Sequence, residues 1–61
     1  MIADHRYIDG VRYTLYGTVT TEEAAITATE RAREVKGLKA RRFKEKVDGE
    51  TVYVIYVLRQ G

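Results

Sequence analysis

The sequence predicts an α+β domain of order ββαββ: a four-stranded antiparallel or mixed sheet with one helix packed on one face. Three observations predict it. Two Asp-Gly pairs each separate runs rich in β-branched and aromatic residues, a capped alanine-faced stretch lies between them, and the closing segment Thr51–Leu58 is apolar on both of its alternating faces. The whole of residues 1–61 reads as one domain.

The first hairpin centres on Asp9-Gly10, between Arg6-Tyr7-Ile8 and Val11 to Tyr16. Asp-Gly supplies the two positive φ angles of a type I′ turn, so strands are expected near residues 4–8 and 11–18. The helix is expected over residues 21–36. Thr20 is the expected N-cap with Glu23 at the third helical position, the acidic Glu22 and Glu23 suit the positive end of the dipole, and Arg33 and Lys36 suit the other end. Ala25, Ala28, Ala32 and Val35 share one side of this helix, and Gly37 fits the left-handed position after it. A buried face made mostly of alanine requires a close approach to the sheet. Asp48-Gly49 then joins strands near 39–47 and 50–59.

Two-residue turns fix the register. Ile8 then opposes Val11 and Val47 opposes Glu50, which places Ile8, Val11, Tyr13, Leu15, Phe43, Val52, Val54 and Leu58 on one side of the sheet. This side is the expected helix-covered core. The other side holds Tyr7, Tyr16 and Tyr53 among His5, Arg12, Arg42, Lys44 and Lys46, with no carboxylate. Leu38 and Ala40 differ in parity from Phe43, which predicts a bulge near Arg41-Arg42.

The last strand poses the functional question. Val52, Val54, Tyr56 and Leu58 line one face and Tyr53, Ile55 and Val57 the other, so both faces need cover while a single helix covers one. A chain of this length buries only about 60% of the surface it exposes when unfolded. Without cysteine it has no disulfide to compensate. A homodimer is therefore expected, with Ala40, Ile55 and Val57 at its contact, and the last strand central in the sheet.

Composition narrows the function classes. Charged residues make up 33% and the formal charge is +2, too small a balance to name a partner without knowing where the charges lie. Serine, asparagine and cysteine are absent, which together with the high charge content fits a heat-adapted source. No apolar run approaches the roughly 18 residues of a membrane span and the first residues lack a signal-peptide core, so a cytoplasmic location with no membrane partner is expected. His5 is the only histidine and no serine or cysteine nucleophile is present, so no catalytic residue is assigned. Asp4 with His5 lacks the ligand count of a metal site, Asp9 and Asp48 are turn formers, and the glycines form no phosphate loop, so neither metal nor cofactor is expected.

What remains is a small non-enzymatic binding protein. Arg12, Tyr16, Arg42, Lys44, Lys46 and Tyr53 are the candidate nucleic-acid contacts, tyrosine rings stacking on bases while cations meet phosphates. The sequence does not choose between DNA and RNA. The alternative is a structural or regulatory homodimer that binds another protein, since Tyr and Arg are also enriched at protein interfaces. Tyrosine is in addition an ordinary strand former and surface Lys and Arg are common.

Residues Tyr16 to Arg41, with Thr21-Glu-Glu-Ala24 opening the helix and Lys36-Gly-Leu-Lys-Ala-Arg41 leading into a hairpin, are similar to the strand-helix-strand opening of SPOR-type peptidoglycan-binding domains. The second helix of that family has no counterpart in the sequence, and no function is carried over from it.

Overall fold

A computed structural model describes residues 2–35 and 37–59, with the Val35 side chain outside the description. The elements follow the expected order: β1 (His5–Ile8), β2 (Val11–Val19), α1 (Glu22–Val35), β3 (Leu38–Val47) and β4 (Glu50–Arg59). Lys36, the expected last helical residue, lies outside the described residues, and so does the contribution of Val35 to the helix face. Both Asp-Gly pairs adopt positive φ, 54° and 79° at Asp9-Gly10 and 51° and 83° at Asp48-Gly49, as a type I′ turn requires. Ile8 accordingly pairs with Val11 and Val47 with Glu50.

The sheet order is β1-β2-β4-β3, with every neighbouring pair antiparallel. β4 is central, as its two apolar faces demand. Val54, Ile55 and Tyr56 are consecutive and all buried, which a strand achieves only if both of its sides are covered.

Two different devices cover them. On one side, α1 packs Ala32 against Ala40 and Ile55, with Ala28, Val19 and Val57 around them. On the other, Val54 and Tyr56 join Tyr13, with Ile2, Ile8, Leu15, Phe43, Val52 and Leu58 packed about the cluster. Among the described residues no helix reaches this second side. The sheet curls over it until its two edge strands face each other, and Arg6 of β1 spans the gap to β3: its guanidinium lies 3.9 Å from the Phe43 ring centre and 3.4 Å from a Glu45 carboxylate oxygen. The amino-terminal segment closes one end, where the Tyr56 hydroxyl donates to the Ala3 carbonyl at 2.9 Å.

The face assignment made from sequence is therefore corrected. The helix covers the Ala40–Ile55–Val57 side, not the side of Tyr13 and Phe43. Size explains the choice: an alanine-faced helix lies too close to a sheet to admit two tyrosines and a phenylalanine, whereas the interior of a curl accommodates them. Two of the three residues expected at a dimer contact lie under this helix. Ala40 and Ile55 are 2% and 1% exposed beneath the chain's own helix, and Val57 is half-buried at the margin.

The expected bulge in β3 is absent, and its register runs without a break from Leu38–Arg59 to Val47–Glu50. The parity conflict was a real division of labour, because Ala40 serves the helix side while Phe43 serves the curl. The irregularity lies instead in β2, where Leu15 pairs with Tyr56 and Gly17 with the next β4 residue, Ile55, leaving Tyr16 as the extra residue. This shift moves Val19 from the curl side to the helix side, where it packs with the second cluster. One inserted residue lets a single strand feed both cores.

The helix cap is displaced by one position. The Thr21 hydroxyl accepts from the Ala24 amide at 3.2 Å, so Thr21 is the N-cap in place of Thr20 and Glu23 is not at the capping-box position. Val19 is still paired with Tyr53 in the sheet, which leaves Thr20 as the connecting residue. Thr29 is fully buried on the helix face between Ala25 and Ala32, and its hydroxyl donates to the Ala25 carbonyl at 2.7 Å, which removes the cost of burying it.

Two outcomes follow for stability. Ala32→Leu forces a larger side chain between α1 and Ile55 and lowers stability by about 1–3 kcal/mol in urea unfolding; a neutral effect would mean that the helix stands away from the sheet. Burial, reinforced by the Glu45 charge, raises the Tyr56 pKa above the usual 10.0. The neutral phenol is thus the form that the fold favours, so its contribution is complete below the unfolded-state pKa and is lost as pH rises through the higher folded value. Tyr56→Phe costs about 0.5–1.5 kcal/mol at neutral pH through the lost Ala3 hydrogen bond. It also makes the fall in stability above pH about 10 shallower than in wild type. Parallel alkaline profiles for the two proteins would contradict the burial of this hydroxyl.

Candidate nucleic-acid interface

The charges are not evenly spread. β3, with 10 residues, carries five of the 11 lysines and arginines: Lys39, Arg41, Arg42, Lys44 and Lys46. All five are exposed. By register Arg42, Lys44 and Lys46 point to the helix side of the sheet, Lys39 and Arg41 to the other. The strand's single carboxylate, Glu45, is turned into the curl and engaged by Arg6. Among the described residues the ion pairs are Arg6–Glu45 and Asp4–His5, so none of the β3 cations has a carboxylate within ion-pair distance. Local sequence produces this arrangement, because the alternation Phe43-Lys44-Glu45-Lys46-Val47 sends Phe43, Glu45 and Val47 inward and the lysines outward.

The remaining expected contacts are distributed around this strand. Lys44 is paired with Tyr53, which is half-buried, so only part of that ring is open to a ligand. Arg12 is paired with Tyr7 in the first hairpin. Tyr16 is 43% exposed at the bulge and has no register partner. The single carboxylate-free face expected from sequence is divided, since α1 lies across its middle over Ala40 and Ile55. Arg42, Lys44, Lys46 and Tyr53 remain together, while Arg12 lies on β2 beside Tyr7 of the opposite edge strand.

Two side chains were not anticipated as site elements. Tyr7 is 65% exposed, the most open of the large apolar side chains among the described residues, and its ring meets that of His5 edge-on at 5.8 Å and 89°. Arg6 was unassigned, although its parity with Ile8 placed a cation on an otherwise apolar side, the one sequence signal that it spans something. His5 also hydrogen-bonds Asp4 at 2.8 Å, and that contact, with the positive charge His5 carries when protonated, holds the Asp4 carboxyl below its usual range. The helix contributes Arg33, whose guanidinium donates to the Ala40 carbonyl of β3 at 2.7 Å and so covers part of the sheet edge.

Two surface hollows lie among the described residues. A shallow groove of about 590 Å³ runs along the helix flank between Thr21, Glu23, Ala24, Thr27, Ala28 and Arg31, and a smaller hollow of about 320 Å³ lies among Thr14, Leu38, Val57 and Arg59. Among the described residues no group of three or more His, Cys, Asp or Glu side chains is placed to hold a metal ion, and no helix is long and apolar enough to cross a membrane. Comparisons with protein-family models, with curated proteins and with solved structures find no match.

Proposed function

We propose that the protein is a small non-enzymatic nucleic-acid-binding module whose phosphate contacts are made by β3, chiefly Arg42, Lys44 and Lys46. The observation that carries this reading is the row of five exposed cations without carboxylate partners on one edge strand. Unpaired cations at strand spacing neutralise successive phosphates, and displacement of the counterions supplies the binding free energy. Charged edges also prevent foreign strands from adding to a sheet. That protective role requires charge of either sign, whereas five of the six charged positions in β3 are cationic. Self-pairing of β3 into a dimer would set cation against cation, so this edge favours a polyanion over a second copy of the chain.

Contact with three phosphates of a single strand gives a slope of log K against log salt of about −2, or roughly a twentyfold loss of affinity between about 50 and 200 mM salt. Electrophoretic shift or anisotropy with labelled oligonucleotides measures this. Lys44→Glu combined with Lys46→Glu abolishes the binding while the urea midpoint stays near wild type, because exposed charges contribute little to folding. No binding by wild type at low salt, or full binding by the double variant, would overturn the reading and leave a protein partner as the alternative.

A further inference from the structure

The curl of the sheet brings β1 within side-chain reach of β3, although the two are the opposite edges of the sheet. Arg6 fixes this proximity, since one side chain reaches both Phe43 and Glu45. Those three residues point inward. Alternation then turns their neighbours outward along the same seam: His5 and Tyr7 on β1, and Arg42, Lys44 and Lys46 on β3. We propose that this seam is a single-strand site, in which an unpaired base stacks on Tyr7 while Arg42, Lys44 and Lys46 hold the adjoining phosphates. The inference rests on the nucleic-acid reading above and specifies the form of the ligand and the residue that reads it.

Four features support it. Tyr7 is open over most of its surface, so a base can cover its ring without any rearrangement of the core. His5 meets the ring edge-on, a contact that favours one ring orientation and leaves the open face of Tyr7 to a base. Arg12, paired across from Tyr7, adds a cation on the β2 side of the same ring. Two carboxylates that adjoin these residues in the chain are already engaged, Glu45 by Arg6 and Asp4 by His5. A duplex satisfies only half of this arrangement, because its bases are stacked on one another and present phosphates alone. An unpaired strand satisfies both halves, and stacking requires no particular base.

The test compares a short oligothymidylate with an abasic strand of equal length and with a duplex, using wild type, Tyr7→Ala, Tyr7→Phe and the Lys44→Glu/Lys46→Glu double variant. Wild type prefers oligothymidylate to both other probes. Tyr7→Ala weakens oligothymidylate binding by about 5- to 150-fold and leaves abasic-strand binding near wild type, whereas Tyr7→Phe retains both. The double lysine variant loses all three probes. Equal affinity of wild type and Tyr7→Ala for oligothymidylate, with the lysine variant still defective, would overturn the seam site and leave phosphate binding by β3 intact. Undiminished binding by the lysine variant would overturn both.

Discussion

The structure depends on covering both faces of β4 with one short chain. Three consecutive buried residues, Val54, Ile55 and Tyr56, commit the strand to two cores, and each large apolar side chain left in water would forfeit about 1.5–3 kcal/mol. A single helix of 14 residues can cover one face. The sheet itself covers the other by curling over the Tyr13, Val54 and Tyr56 cluster. The Tyr16 bulge, the opposite allegiances of Ala40 and Phe43, and the reach of Arg6 are all consequences of that solution.

The same closure determines what the surface presents. Inward residues of β1 and β3 meet as Arg6, Phe43 and Glu45, and the outward residues between them are left as aromatic and basic side chains. Strand alternation turns Glu45 to the curl side and Arg6 pairs with it there, so the one carboxylate of β3 forms no ion pair with the lysines on either side of it. The clasp is modest in energy. A half-exposed ion pair contributes about 0–1 kcal/mol and an exposed cation–π contact about 0.5–1 kcal/mol. Its effect is therefore positional, and the curl is held mainly by the burial of Tyr13, Val54 and Tyr56.

Much of the fold was legible in the sequence because it is set by local chemistry. The Asp9-Gly10 and Asp48-Gly49 turns fix hairpin register by backbone conformation alone, and the alternation of β4 marks a central strand. What was not legible depends on distant partners. Nothing near Ile55 says whether α1 or a second chain covers it, and the preference of an alanine-faced helix for the Ala40 side emerges only when both candidate faces are compared by size. The bulge at Tyr16 is set by the need of Val19 for the helix side, and the extension of β2 to Val19 moved the cap from Thr20 to Thr21. For the site, Lys44 and Lys46 follow from parity, whereas Tyr7 joins them only through closure of the sheet.

Intrachain nuclear Overhauser effects between the Arg6 δ protons and the Phe43 ring, recorded on a mixture of labelled and unlabelled chains so that contacts between molecules are filtered out, test the closure most directly. The structure predicts that these effects are present, with the Arg6 δ resonances shifted upfield by the aromatic ring above which the guanidinium sits. Their absence, or their appearance only between chains, would show that the sheet is open and that the second face of β4 is covered by another molecule.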